Sequence, residues 1–398
     1  MSSEAFESHG DWALEPTIDY LNHGAFGACP RPIFDVQNEW RARFEREPIA
    51  FVLKELEPAL DDARRDLAAF VGANPTDLAF VTNPTTGVGA VLASVPLHAG
   101  DEILVTDHGY NACKNAAVYW AERAGARVVV AQVPFPVANE AEIVAAVLGA
   151  VTPKTRFAIV DHVTSPTALV LPVAELVREL HARNIEVLVD GAHAPGMLPL
   201  DIAALGAEYY VATLHKWCCT PKGVSILHVR SDLQRRVHPL VISHGYNSPR
   251  TDRSRFHLEF DWIGTYDPSA ILAAPAALRY LAGLLPGGFP ALLERNRALV
   301  LAARTLVAER LGLALPCPER MLGSMASLFL PDDPAPQSRP GSPFAEPLYS
   351  NLRERHRFEV FAMAWPAPPR RLLRLSAQAY NRLEQYERLA QALESELA

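Results

Sequence analysis

A series of short apolar runs between residues 78 and 229 constrains the fold of this chain more than any other feature. Most runs are rich in β-branched residues, carry few charges and are separated by helix-length segments, which is typical of strands buried on both faces of a parallel sheet. The pattern predicts an α/β fold with a doubly wound, mostly parallel seven-stranded sheet. The predicted strands are LAFVT (78–82), EILVT (102–106), RVVVAQV (127–133), RFAIVDHV (156–163), IEVLVD (185–190), EYYVAT (208–213) and VSILHV (224–229).

The rest of the chain predicts a second, smaller unit. With 398 residues the chain exceeds the usual size of one domain. Apolar residues at helical spacing predict a helix near residues 56–70 and another at the C-terminus, and FEVFAMA (358–364) and RLLRLS (371–376) read as strands. We therefore predict an N-terminal segment (1–20), a large domain (21–285) and a small α+β domain (286–398). The Pro- and Ser-rich stretch 331–347 predicts a surface loop.

Composition narrows the partners and the compartment. The net charge of -8 argues against nucleic acid or an anionic membrane as a partner. No apolar run is long enough to span a bilayer, and the acidic N-terminus does not resemble a signal peptide. The five cysteines form no CxxC pair and their number is odd, which favours reduced thiols and predicts a cytoplasmic protein.

The residues that follow the predicted strands indicate chemistry, because ligands of open α/β sheets bind beyond the carboxyl ends of the strands. Asp190 ends one strand, and a buried carboxylate there is costly unless a cation pairs with it. It could hold a protonated ring nitrogen, with His193 facing the same ligand; capping of a following helix is an equally simple interpretation. Lys216 follows another strand, where partial desolvation would lower its pKa and free its amine. Lys222 lies in the turn sequence TPKG and is expected to face solvent.

A Schiff-base lysine paired with an aspartate for a pyridinium nitrogen is the pattern that pyridoxal phosphate enzymes impose. That cofactor also needs a phosphate site, and TNPTTGVGA offers the hydroxyls of Thr85 and Thr86 at the start of a predicted helix. The glycines of this stretch do not form a dinucleotide fingerprint, because Leu92 takes the third glycine position. His108 and Tyr110 are both candidates for an aromatic ring over the cofactor, although polar loop residues without a ligand are common.

The sequence resembles the class V aminotransferase family of fold-type I pyridoxal phosphate enzymes, and within it the isopenicillin N epimerase-like branch. The resemblance covers almost the whole chain, and its most specific part is DGAHAPG followed by a lysine about 25 residues later. The motifs that carry it are YLNHGAFGACP (20–30), FVTNPTTGV (80–88), TDHGYNACKNA (106–116), VDHVTSPTALVLP (160–172), VLVDGAHAPG (187–196), LHKWCCTPKG (214–223), WIGTYDPSA (262–270) and LLRLSAQAYN (372–381).

The resemblance implies a role for each matching residue. Lys216 would form the Schiff base and move protons, Asp190 would hold the ring nitrogen, and His108, or Tyr110 in its place, would stack on the ring. Arg374 would clamp the α-carboxylate of an amino-acid substrate. The remaining implied contacts are His193 with the cofactor's phenolic oxygen, Ser165 near that oxygen, Thr85, Thr86, Thr213 and His215 around the phosphate, Thr265 with the phosphate of the neighbouring subunit in a homodimer, and Asn22 and His23 in a loop that closes over the substrate.

Three reaction classes remain open. The branch name places amino-acid epimerase or racemase chemistry first, with His108 or Tyr110 as a possible second acid, and C–S lyase chemistry second; transamination is the other fate of the same carbanion. A structural or regulatory protein that binds pyridoxal phosphate without turnover is a non-catalytic reading outside these three classes. Cysteine desulfurase activity is not expected, because FEVFAMAWPAPPRRLLR lacks the loop cysteine that desulfurases carry.

Overall fold

The computed structural model describes residues 8–334 and 346–397, so most of the predicted loop at 331–347 lies outside the described residues. Its strands are β1 (Asp19–Tyr20), β2 (Leu78–Val81), β3 (Glu102–Thr106), β4 (Arg127–Ala131), β5 (Thr155–Asp161), β6 (Glu186–Asp190), β7 (Tyr209–Thr213), β8 (Ser225–Val229), β9 (Met325–Leu330), β10 (Phe358–Glu359), β11 (Phe361–Ala364) and β12 (Arg371–Ser376).

Helices pack on the sheets and connect their strands. They are α1 (His23–Phe26), α2 (Arg31–Arg46), α3 (Pro48–Ala50), α4 (Leu56–Val71), α5 (Pro84–Ser94), α6 (Asn111–Ala124), α7 (Glu140–Gly149), α8 (Val173–His181), α9 (Ile202–Leu205), α10 (Arg255–Phe260), α11 (Ser269–Gly283), α12 (Gly288–Leu311), α13 (Pro347–Glu354) and α14 (Leu383–Leu397). Short 3₁₀ turns lie at Ser8–Asp11, Pro75–Asp77, Ser231–Arg236 and Glu319–Met321, and a π-helical turn lies at Phe51–Glu55.

The central sheet has seven strands in the order β2-β8-β7-β6-β5-β3-β4. Only β8 runs antiparallel to its neighbours. The residues of β2, β3, β7 and β8 are buried throughout, as expected for strands covered on both faces. The predicted α/β fold with a mostly parallel seven-stranded sheet is confirmed, and every predicted strand of this sheet ends within two residues of its predicted boundary.

A second, antiparallel sheet has the order β11-β12-β9 and packs with α12 and α13. The run 358–364, predicted as one strand, forms two. Phe358 and Glu359 pair in parallel with β1, whereas Phe361–Ala364 pairs with β12. The chain changes sheets at Val360, which is fully buried between them.

One hydrophobic cluster runs from Leu21 through the central sheet to Leu393 in α14. Packing therefore continues across the predicted domain boundaries, which stay predictions. Within the described residues, no single helix is long and apolar enough to cross a membrane, although α11 and α12, bent by 71° against each other, reach that length and composition together.

Candidate active site

A cavity of about 430 Å³ lies at the carboxyl ends of the central strands. Nine residues predicted for the site line it, contributed by loops after five different strands. They are Thr85, Thr86, Tyr110, Ser165, Asp190, His193, Thr213, His215 and Lys216. The parallel sheet brings these residues together because the carboxyl ends of its strands share one edge.

Two glycines hold the turn that carries Lys216. Gly196 has φ +78°, and a Cβ there would lie 2.6 Å from the backbone carbonyl of Trp217. Gly27 has φ +69° and touches the carbonyl oxygen of His215, leaving no room for a side chain. Both positions need the left-handed conformation that glycine adopts without strain. The backbone around Lys216 is thus clamped between the DGAHAPG loop and the N-terminal loop.

The amine of Lys216 lies inside the cavity wall, 3.2 Å from Nε2 of His193. Burial, reinforced by the charge of Arg374, lowers the pKa of Lys216 to about 8. About a tenth of the amine is therefore neutral at pH 7, the form that a nucleophile or base needs. Lys222 does not line the cavity; it is exposed, and its amine donates to the carbonyl of Gly27.

Asp190 is 4% exposed and faces the same cavity. Its Oδ1 accepts the backbone N–H of Ala192 at 3.0 Å and its Oδ2 accepts the thiol of Cys113 at 3.2 Å. The alternative of a helix cap does not hold, because the next helix begins only at Ile202. Burial raises the pKa of Asp190. A carboxylate in this setting would gain from a cationic partner in the cavity.

Asp161 also lines the cavity, and sequence reasoning did not assign it. It ends β5 in direct register with Asp190 at the end of β6, so two buried carboxyl groups lie side by side. Burial and the charge of Asp190 raise the pKa of Asp161 well above its ordinary value. The signal was present, because Asp161 ends an apolar run just as Asp190 does.

The end of the cavity where α5 begins suits a phosphate. Helix α5 begins there, with Asn83 capping it by accepting the N–H of Thr86 at 2.8 Å. The helix start directs N–H groups and a positive dipole end toward the cavity. Thr213 adds a hydroxyl that bonds His215 at 2.8 Å, and burial lowers the pKa of His215 to about 4. This end therefore offers neutral donors for an anion.

Arg374 does not line the cavity wall itself but lies directly behind it. One Nη donates to the carbonyl oxygen of Ser165 at 2.7 Å, and the other donates to Asn22 at 3.2 Å. Within residues 8–334 and 346–397, its Nε has no hydrogen-bond partner and its Nη atoms bond Ser165 and Asn22 rather than a carboxylate. Burial lowers the pKa of Arg374 to about 10. A buried guanidinium without an acid is a receptor for a carboxylate ligand.

The structure separates the two aromatic candidates. His108 is fully buried outside the cavity, with Nδ1 on Thr167 and Nε2 on the carbonyl of Val133, and its ring packs edge-on against Trp365. Both ring nitrogens are occupied, so the geometry does not support the predicted stacking or acid–base role of His108. Tyr110 lines the cavity and is 49% exposed, which leaves it available to face a ligand.

The remaining predicted residues lie around the cavity. Asn22 is buried and accepts a hydrogen bond from Arg374. His23 lies beneath Lys216, where its Nε2 donates to the Lys216 carbonyl at 2.9 Å, so its ring does not face the substrate space. Thr265 is exposed on the surface of this chain. Three arginines of the segment 244–260 are engaged by acids or backbone carbonyls; they are Arg250, Arg253 and Arg255.

The residues around the cavity fit pyridoxal phosphate, and the chain is similar in sequence to known proteins. The class-V aminotransferase family model matches residues 38–324. The chain is 36% identical over 403 residues to isopenicillin N epimerase from Streptomyces clavuligerus, covering 98% of this chain and 97% of that protein. It is 32% identical to putative L-cysteine desulfhydrase 1 of Oryza sativa subsp. japonica, covering 98% and 84%.

Among solved structures, a variant of the protein C-DES with glycine covalently linked to its pyridoxal phosphate has a TM-score of 0.78 with 23% identity, covering 95% of this chain and 96% of that chain. The fold is therefore that of the fold-type I enzymes. The guanidinium without an acidic partner among the described residues, the lysine of lowered pKa and the helix start at the cavity agree with the cofactor that the family uses and an amino-acid substrate. The chain belongs to the class-V aminotransferase family and is a pyridoxal-phosphate-dependent enzyme.

Proposed function

We propose that the protein is an epimerase or racemase that inverts the α-carbon of an amino acid. The observation that carries an amino-acid substrate is the buried guanidinium of Arg374, which lacks a carboxylate among the described residues and lies close enough to lower the pKa of Lys216. The 36% identity to isopenicillin N epimerases from Streptomyces clavuligerus and Amycolatopsis lactamdurans supports epimerisation over other fates of the α-carbon.

The chain's residues divide the work by position. Arg374 binds the α-carboxylate, and Lys216 removes the α-proton from one face of the substrate, since its amine is neutral above a pH of about 8. Asp190 would hold the ring nitrogen in its protonated state, and the residues at the start of α5 would hold the phosphate. Pyridoxal phosphate supplies the electron sink for the α-carbanion. Tyr110 is the candidate for the second acid, because it lines the cavity and His108 does not.

Elimination is the second candidate, because relatives at 32% and 30% identity are named L-cysteine desulfhydrases. Both reactions begin with loss of the α-proton, so the cavity chemistry serves either. A desulfurase remains disfavoured. All five cysteines are buried, and burial raises the pKa of Cys113, Cys218, Cys219 and Cys29, which opposes a nucleophilic thiolate.

The test incubates the holoenzyme with a panel of L- and D-amino acids in deuterated buffer. We expect deuterium at the α-carbon together with inversion of configuration. Pyruvate with sulfide from cysteine would overturn epimerisation in favour of elimination, and exchange of the amino group with a keto acid would favour transamination. A protein that binds the cofactor but exchanges no α-proton would leave only the non-catalytic reading.

The variant Tyr110→Phe tests whether Tyr110 is the second acid. If Tyr110 donates the second proton, this variant still exchanges the α-proton for deuterium through Lys216 but loses inversion by about 100-fold, the usual contribution of a general acid. The variant His108→Gln serves as the control outside the cavity and should keep the ratio of inversion to exchange. Equal loss of both rates in Tyr110→Phe would remove Tyr110 from this role.

We also propose that the enzyme is a cytoplasmic homodimer. Support comes from an exposed apolar surface formed by Leu240, Val241 and Ile242, each at least 50% exposed, with Leu240 against Gly89 of the phosphate-site helix. Thr265 is exposed, as a residue reaching a neighbouring subunit must be. Light scattering should give twice the chain mass, and Val241→Asp should give monomers with impaired cofactor retention. A wild-type monomer with full activity would refute the dimer.

A further inference from the structure

Trp217 adjoins the reactive lysine and takes no part in the reaction proposed above. It is fully buried, and its indole Nε1 lies 3.3 Å from Nδ1 of His193. Its backbone is fixed by the close approach to Gly196, and its ring lies 5.0 Å from that of His23. The indole is therefore held in one place and aimed at one ring nitrogen.

We propose that Trp217 is a positioning residue that keeps the proton of His193 on Nε2, directed at the Lys216 amine. An indole N–H can only donate, so Nδ1 of His193 must accept with a lone pair. A neutral imidazole carries one proton, which this contact assigns to Nε2. Burial keeps the ring neutral, because it lowers the pKa of His193 well below its ordinary value.

The tautomer has a consequence for the lysine. Nε2 lies 3.2 Å from Nζ of Lys216, and an N–H at that distance can bond only to an amine with a free lone pair. The contact therefore exists for the neutral amine and is lost in the ammonium form. With the other tautomer, Nε2 would accept a proton from the ammonium and favour the charged form. Trp217 thus stabilises the state of Lys216 that can react.

Other charged groups near this pair stay the same when the indole is removed. The amine also faces Arg374 on β12, Asp190 on β6 and Cys113 on α6, and the imidazole feels Arg374 and His23. None of these groups contacts Nδ1 of the imidazole in the described residues. A change in the pKa of Lys216 that follows replacement of Trp217 is therefore attributable to the tautomer of His193.

The test compares Trp217→Phe with Trp12→Phe in the full chain. Trp12 is a matched control, since it is 3% exposed and its indole N–H has no partner among the described residues. The readout is the rate at which the cofactor-free protein becomes covalently linked to added pyridoxal phosphate, measured from pH 6 to 10. We expect Trp217→Phe to raise the pKa that governs this rate, lowering the rate at pH 7 about tenfold, as one pKa unit requires. Trp12→Phe should match the wild type.

A second readout does not require Trp217→Phe to fold. Long-range ¹H–¹⁵N spectra of the wild-type protein with ¹⁵N-labelled histidine report which ring nitrogen of His193 is protonated, with His193→Gln identifying the signal. A proton on Nδ1, or equal pKa values in Trp217→Phe and wild type, would overturn the proposal. The inference rests on Lys216 as the reactive amine, and borohydride reduction with peptide mapping separates the two. Label on another residue defeats both ideas, whereas label on Lys216 with the wrong tautomer defeats only this one.

Discussion

Replacement of Arg374 tests the substrate site most directly. The guanidinium is 2% exposed, and burial without an acid lowers its pKa to about 10. Because one pKa unit is worth about 1.4 kcal/mol, the unpaired cation costs the free protein roughly 3 kcal/mol. A substrate carboxylate that pairs with it recovers energy of this order, and loss of one partner from a buried charge pair costs about 2–5 kcal/mol. We therefore expect Arg374→Gln to lower kcat/KM for an amino acid about 100-fold.

The assay is a thermodynamic cycle that compares two enzymes on two substrates. We compare wild type and Arg374→Gln on an amino acid and on its carboxamide, with α-proton exchange as the common readout. Wild type should prefer the carboxylate by about 100-fold, and the variant should show almost no preference, because the carboxamide has no charge to pair. Arg374→Lys keeps the charge but loses the two-pronged geometry and should fall between them.

An equal preference for the carboxylate in wild type and Arg374→Gln would refute the reasoning. It would mean that another cation binds the carboxylate. Thermal unfolding serves as the control, since removal of an unpaired buried cation should not destabilise the protein by an amount that explains the kinetic loss.

Three further predictions concern the same site. Gly196→Ala should lower the free energy of unfolding, measured in urea, by at least about 2 kcal/mol. Gly206→Ala is the control, because Gly206 has a similar φ of +72° but open space around it, and should cost only about 1 kcal/mol. Equal losses would show that the contact with Trp217 does not matter. Covalent attachment of the cofactor should rise with pH up to about 8 and then level off, because the neutral form of Lys216 is the nucleophile, and Lys216→Ala should abolish it; a rate independent of pH would contradict this. Asp161→Asn should change kcat/KM no more than about twofold, because burial and the charge of Asp190 raise the pKa of Asp161 and so disfavour its anion. Asp190→Asn should lower kcat/KM about 100-fold; a large loss in Asp161→Asn would show that this carboxyl works as an anion.

Much of the site was accessible from local sequence because burial leaves a local pattern. Strands covered on both faces read as apolar runs, and the polar residue that ends each run marks the ligand edge of the sheet. Asp190 and Lys216 were found in this way, and Asp161 carried the same signal. Arg374 was assigned only through the family resemblance, since a lone arginine in RLLRLS is no signal by itself.

The tertiary structure decided which way individual side chains point and which of them meet. His108 and Tyr110 are two residues apart in one loop, yet only Tyr110 enters the cavity, because the loop backbone turns His108 toward Thr167 and Val133. His23 bonds the carbonyl of Lys216, 193 residues away.

One physical cause explains which features could be predicted from the sequence and which depend on the folded chain. The burial of a strand shows in the apolar pattern of consecutive residues, so the sequence alone determined the α/β sheet and the edge at which chemistry occurs. Contacts such as that of Trp217 with His193, or the switch of the chain between two sheets at Val360, depend on backbone paths that bring distant segments within hydrogen-bond reach. Only the folded chain decides those contacts, and they set the proton positions at Lys216.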